Sequence, residues 1–142
     1  MGFPDRITRI IEFPHPIETV WAALTTPEGL SGWFSDASLE LRPGGRGQLR
    51  WPDGYSDQLR VEKVEAPTVF GFTWTIHGLP AEDSRRTYVE FTLEPTPDGT
   101  RLTLVESGFA QLTGGEYPTA LDGHNEGWDR ELGELEAYLR AA

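Results

Sequence analysis

Residues 119–142 read TALDGHNEGWDRELGELEAYLRAA, and the spacing of their apolar members decides the fold. Leu121, His124, Trp128, Leu132, Leu135 and Leu139 recur every three or four positions, which lays one stripe along an amphipathic helix. Glu131, Glu134 and Glu136 occupy the remaining surface, tempered by Arg130 and Arg140. Gly123, Gly127 and Gly133 are unusual in such a segment, because each costs about 1 kcal/mol relative to Ala inside a helix. Glycines kept at that cost predict either close approach of the sheet or room left beside the helix. His124 lies on the inward stripe at the glycine-rich end, with Tyr117 and Asn125 near it in sequence.

Upstream of the helix, strand and turn signals run almost unbroken from Ala37 to Phe109. The expected strands are Ala37 to Arg42, Gly47 to Trp51, Tyr55 to Val64, Val69 to His77, Arg85 to Glu94 and Thr100 to Phe109. Turn signals at Pro43-Gly44-Gly45, Pro52-Asp53-Gly54, Ala66-Pro67 and Pro97-Asp98-Gly99 separate them, apart from a polar loop before Arg85. Short connections between consecutive strands predict an antiparallel meander. Alternation puts Phe70, Phe72, Trp74 and Ile76 on one face, opposite Thr73, Thr75 and His77. It groups Val89, Phe91 and Leu93 opposite Tyr88, Glu90 and Thr92. Glu106 shares a face with Leu102 and Leu104, where an unpartnered carboxylate is costly to bury. The expectation is therefore that the strand bulges or ends there and leaves Glu106 in solvent.

Ahead of the meander, Arg6 to Phe13 alternates as a first strand and stops at Pro14-His15-Pro16. Ile17, Val20, Trp21 and Leu24 then mark a short helix, and Thr26-Pro27-Glu28 opens a second that ends at Trp33-Phe34. No change of composition divides the chain, so residues 1–142 are expected to form a single α+β domain.

Composition narrows the functional classes. With no cysteine, disulfides, thiolate metal sites and a Cys nucleophile are excluded. Twenty-three acidic residues against 12 basic give a net charge of −11, which repels nucleic acid and anionic lipid. No signal-peptide run or membrane-length apolar segment is present, which makes the cytoplasm the expected location. His15, His77 and His124 are scattered without a metal-ligand spacing, no Gly-x-Ser-x-Gly elbow occurs, and Pro43-Gly44-Gly45-Arg46-Gly47 reads as a turn rather than a phosphate loop. Neither a metal nor a cofactor is expected.

The order strand, two short helices, six strands and a long helix, with particular motifs in it, resembles a known family. The motifs are Phe13-Pro14-His15-Pro16 followed by Val20-Trp21-Ala22-Ala23-Leu24-Thr25, then Thr26-Pro27-Glu28-Gly29-Leu30 with Trp33-Phe34. They continue in Thr103-Leu104-Val105-Glu106-Ser107-Gly108-Phe109 and in Gly127-Trp128 with Leu132, Leu135 and Leu139. The sequence is similar to the AHSA1-like (activator of Hsp90 ATPase homologue 1-like) branch of the START/Bet v 1-like, or SRPBCC, superfamily. The resemblance implies a helix-grip fold in which a curved antiparallel sheet of about seven strands holds the C-terminal helix, with a cavity between them. It also implies an apolar small molecule as the partner, because relatives bind lipids, sterols or polyketides there. Co-chaperone activity belongs to longer relatives with an extra N-terminal domain, which is not expected ahead of a strand that begins at Arg6.

Trp33, Trp51, Phe72, Trp74, Tyr88, Phe91, Glu106, His124 and Trp128 are the residues expected to line the cavity. The favoured function is to bind an apolar or aromatic ligand without catalysis. One alternative is a cyclase- or aromatase-like enzyme using His124 or Glu106 for proton transfer. A second is a protein-interaction or chaperone-associated role, and either a monomer or a homodimer fits the sequence.

Overall fold

The computed structural model describes residues 5–80 and 82–141, so residue 142, the last of the expected helix, lies outside the described residues. The chain runs through β1 (Arg6–Phe13), α1 (Ile17–Thr25), α2 (Pro27–Trp33), β2 (Asp36–Leu39), β3 (Arg46–Arg50), β4 (Ser56–Glu65) and β5 (Val69–Trp74). It continues through β6 (Thr87–Thr96), β7 (Gly99–Ser107), a 3-10 turn (Phe109–Gln111) and α3 (Glu116–Ala141). All neighbouring strands are antiparallel, and the order across the seven-stranded sheet is β1-β7-β6-β5-β4-β3-β2. The six meander strands are thus sequential, and β1 closes the far edge by pairing with β7. This is the helix-grip arrangement that the resemblance implies.

Alternation drives one face of the sheet inward. Leu59, Val61, Phe70, Phe72, Val89, Phe91, Leu93, Leu102 and Leu104 are all buried there, and α3 lays Trp128, Leu132, Leu135 and Leu139 across them. Helices α1 and α2 plug the open end with Val20, Leu24, Leu30 and Trp33. Pro27 occupies the first turn of α2, and the Thr26 hydroxyl caps it by accepting from the Gly29 N–H at 2.9 Å. Gly29 is required there, because a Cβ would lie 2.4 Å from the Ala22 carbonyl oxygen of α1.

Two departures from the sequence expectation shape the site. Strand β5 stops at Trp74 rather than His77, because the pairings on both sides end at that residue, with Leu59 of β4 and Thr87 of β6. The chain beyond it turns, so Thr75 is buried instead of facing outward. Strand β7 neither bulges nor ends before Glu106, which pairs in regular register with Ile7 and Val89. Glu106 therefore points into the core and is 0% exposed, which corrects the solvated placement.

Candidate functional site

A cavity of about 400 Å³ opens between the β3–β5 end of the sheet and the first half of α3. Its buried wall is Phe34, Asp57, Trp74, Thr75, His124, Trp128 and Glu131, and its exposed rim includes Pro52, Asp53, Tyr55, His77 and Arg130. Gly54, in the tight turn after Asp53, adopts φ 92°, which suits glycine, and its N–H donates to the Trp51 carbonyl at 3.0 Å. Helix α3 contributes Gly123, Gly127 and Glu131, a row at i, i+4 and i+8 that shares one face. The two upstream glycines differ in purpose. A Cβ on Gly123 would come within 2.5 Å of the His77 ring, whereas one on Gly127 would meet nothing closer than Arg130 at 4.0 Å. Gly127 leaves room; Gly123 allows a close approach.

The aromatic wall is continuous. Phe34 contacts Trp51, Trp74 and Trp128 at ring-centroid distances of 5.5, 5.8 and 5.6 Å, and Trp74 stacks on Trp128 at 5.5 Å. Both of these indoles are held from behind by one carboxylate. Glu106 accepts from Trp128 Nε1 at 2.8 Å, Trp74 Nε1 at 2.8 Å, Thr87 Oγ1 at 2.5 Å and His124 Nδ1 at 2.8 Å. The second nitrogen of His124, Nε2, accepts from the backbone N–H of His77 at 3.0 Å. His124 is thereby fixed as the neutral Nδ1–H tautomer, and the pair carries one net negative charge. Burial pushes the Glu106 carboxyl up, but the hydrogen bond and electrostatic attraction of His124, with the bonds from Thr87 and Trp74, outweigh it and hold Glu106 below the ordinary carboxylate range.

Two more carboxyls reach the cavity itself. Asp57, at the start of β4, accepts from Trp51 Nε1 at 2.9 Å and from the Thr75 hydroxyl. Burial raises its pKa, and the bonds from Thr75 and Trp51 reverse that only in part. Glu131 has a side chain only 8% exposed, and its sole partner among the described residues is Arg130, Nε to Oε1 at 3.1 Å. Burial raises the Glu131 pKa as well, against a smaller opposing pull from Arg130.

The structure divides the nine expected lining residues. Trp51, Trp74, His124 and Trp128 line the cavity. Glu106 sits behind that wall. Phe72 and Phe91 are 1% exposed core residues beneath it, and Trp33 stacks on Phe34 at 4.8 Å with its Nε1 bonded to the Ala23 carbonyl. Tyr88 belongs to the opposite face, where its hydroxyl donates to Glu90 at 2.8 Å and its ring covers Gly71. Alternation along β6 already sets Tyr88 with Glu90, so its place in the lining set is corrected by its own strand. Phe34, Tyr55, Asp57 and Glu131 are lining residues that sequence reading missed. Two of these had a signal, because Asp57 precedes Leu59 and Val61 at period 2 and Glu131 continues the Gly123–Gly127 row. Among the described residues, no group of three or more His, Cys, Asp or Glu is placed to hold a metal ion. No described helix is long and apolar enough to cross a membrane.

A sheet that grips a C-terminal helix across an aromatic-walled cavity defines a START/Bet v 1-like protein. Residues 14–140 match the family described as activator of Hsp90 ATPase homolog 1-like protein, and the chain belongs to that family. Among solved structures it is similar to protein MLL2253 from Mesorhizobium loti, with 30% identity, a TM-score of 0.84, and 96% of this chain and 98% of that one covered. It is similar to protein NE0264 from Nitrosomonas europaea at 26% identity and TM-score 0.76, over 96% and 94% of the two chains. DynU16, a protein of the dynemicin biosynthetic locus, aligns at 26% identity and TM-score 0.81 over 96% of this chain but 48% of its own. A comparison with curated proteins finds no match.

Proposed function

We propose that this protein binds an apolar or aromatic small molecule in the cavity between the sheet and α3. The observation that carries this reading is the open space beside Gly127, walled by Phe34, Trp51, Trp74 and Trp128. Its volume of about 400 Å³ falls within the range of small-molecule sites, which combine apolar walls with a few polar groups. A glycine in mid-helix costs about 1 kcal/mol, so keeping one where a methyl would fit favours retained space over packing. The similarity to DynU16, from a biosynthetic locus, agrees with a role near small-molecule chemistry.

Proton transfer through His124 or Glu106 has less support. Both ring nitrogens of His124 are engaged, and Glu106 accepts on both oxygens behind the wall. A ligand in the cavity meets the edge of a satisfied network rather than a free base.

Titration with the neutral probe N-phenyl-1-naphthylamine tests the binding function. Three of the five tryptophans line the cavity, so saturable quenching of indole fluorescence and enhancement of the probe are expected. Gly127→Leu places a side chain in the open space and should abolish both signals while the circular dichroism spectrum stays native. Equal binding by the variant and the parent protein would overturn the assignment of the site.

A further inference from the structure

The cavity holds a polar group that the fold itself leaves incompletely paired. Glu131 projects from the pocket-facing row of α3, is more than nine-tenths buried, and bonds only to Arg130 among the described residues. That single bond uses Oε1, while Oε2 carries no hydrogen bond among them and stays open to solvent, since no buried side-chain oxygen among the described residues lacks a partner. Arg130 is a weak satisfier, because its side chain is 66% exposed and it is adjacent in sequence to the residue it bonds. An accessible carboxylate oxygen is free to pair with a group that enters the cavity. Here that carboxylate lines an aromatic-walled space.

The other groups around that space share its sign. Asp57 lines the opposite, sheet side of the cavity, and Glu106 lies directly behind Trp74 and Trp128. Indole N–H groups bonded to an anion become richer π donors, so the faces of these two rings are strengthened for cation–π contact. Arg130, at the rim, is the sole Lys or Arg among the described lining residues. Electron-rich rings and flanking carboxylates around one cleft together favour a positive charge.

We propose that the cavity takes an aromatic or apolar ligand bearing a cationic nitrogen, with Glu131 as its counter-charge and the Trp51, Trp74 and Trp128 rings around it. This specificity rests on the binding function proposed above and deepens it. Apolar surface supplies affinity, and the carboxylates select among ligands of similar shape. The raised pKa of Glu131 agrees with a group that lacks a strong cationic partner in the free protein.

A pair of isosteric probes tests it. Benzyltrimethylammonium and neopentylbenzene have nearly the same shape and differ in charge. The cation should bind the parent protein roughly tenfold more tightly or better, followed by tryptophan quenching and by the Gly127 amide shift in NMR. Glu131→Gln should bring the ratio of the two affinities to within about threefold. Arg130→Ala, at an exposed position, should raise that ratio severalfold by removing a like charge and freeing Oε1. A purely structural role for these two residues predicts no such opposed shifts. If neopentylbenzene binds as well as the cation or better, the charge preference is wrong while the binding function stands. If the ratio is the same in all three proteins, Glu131 is not the counter-charge. If neither isostere binds although the naphthylamine does, the proposed ligand class is again overturned by itself. If no probe binds the parent protein, the binding function and the preference fall together.

Discussion

At the scale of single residues, Glu106 holds the site together. It is a fully buried anion whose two oxygens accept from four side chains on three elements, Trp74 of β5, Thr87 of β6, and His124 and Trp128 of α3. Glu106→Gln keeps the shape but gives one of those positions an NH₂ that faces donors. At least one buried indole or imidazole N–H then loses its acceptor, and the charge-assisted strength of the others is lost as well. A loss of about 3 kcal/mol is expected, read in urea unfolding as a lower midpoint with unchanged slope and in melting as a fall of roughly 10 °C. A variant as stable as the parent would mean that these bonds are made in name only. The role of Glu106 was half legible: alternation pointed it inward, and the cost of burial argued it back out. Its donors lie 18 to 32 positions away in sequence, and no local pattern shows that three elements converge on one carboxylate.

At the scale of the element, the three glycines of α3 separate into distinct cases, although the sequence treats them alike. Gly133 has nothing within 4 Å of its would-be Cβ, so Gly133→Ala should stabilise the protein by about 0.5–1 kcal/mol through helix propensity alone. Gly127→Ala should gain a similar amount, because its Cβ enters open cavity. Gly123→Ala should show no gain, since its Cβ would displace the His77 ring that lies 2.5 Å away, next to the N–H bonded to His124. Chemical denaturation of the three variants distinguishes these outcomes, and three equal gains would refute the separate roles. Elements themselves were the most legible level. Period-2 runs and turn signals located the strands and the three-four spacing located α1 and α3, because burial against a single core imposes those periods, while α2 was marked by its Thr26-Pro27-Glu28 start. What escaped was where pairing stops. The end of β5 depends on where β4 and β6 leave it, and that placed Thr75 and the His77 backbone in the site. For the same reason Asp57 and Glu131, whose signals were present in the period, were not recognised as facing a shared space until the sheet and α3 were brought together.

At the scale of the whole molecule, the ionisable groups pull stability in opposite directions with pH. Glu106 has a folded pKa below its ordinary value, as do Asp83 and Glu116, both held at about 2 by bonds to Arg85. For these groups the unfolded chain binds more protons, so their contribution is complete above the ordinary carboxylate range and is lost as pH falls through the folded values. Asp57 and Glu131 have raised folded values, so the folded state binds more protons there. Their contribution is present at low pH and is lost as pH rises through those raised values. A net charge of −11 adds self-repulsion at neutral pH. Maximum stability should therefore fall on the acidic side of neutrality, with a melting temperature higher near about pH 5.5 than near about pH 7.5 and a decline below about pH 4. Adding about 0.5 M NaCl should narrow the first difference by screening the surface charge, while leaving the part due to the buried groups. Glu131→Gln isolates that part. The three histidines and the surface carboxylates are common to both proteins and cancel between them, so the variant should gain more stability near about pH 7.5 than near about pH 5.5. Calorimetric melting of both proteins at the two pH values and in high salt measures this directly. An equal effect of the substitution at both pH values would show that Glu131 carries no buried charge in the free protein. A gain confined to the higher pH would mean that the fold is strained there by a charge that a bound cation is suited to relieve.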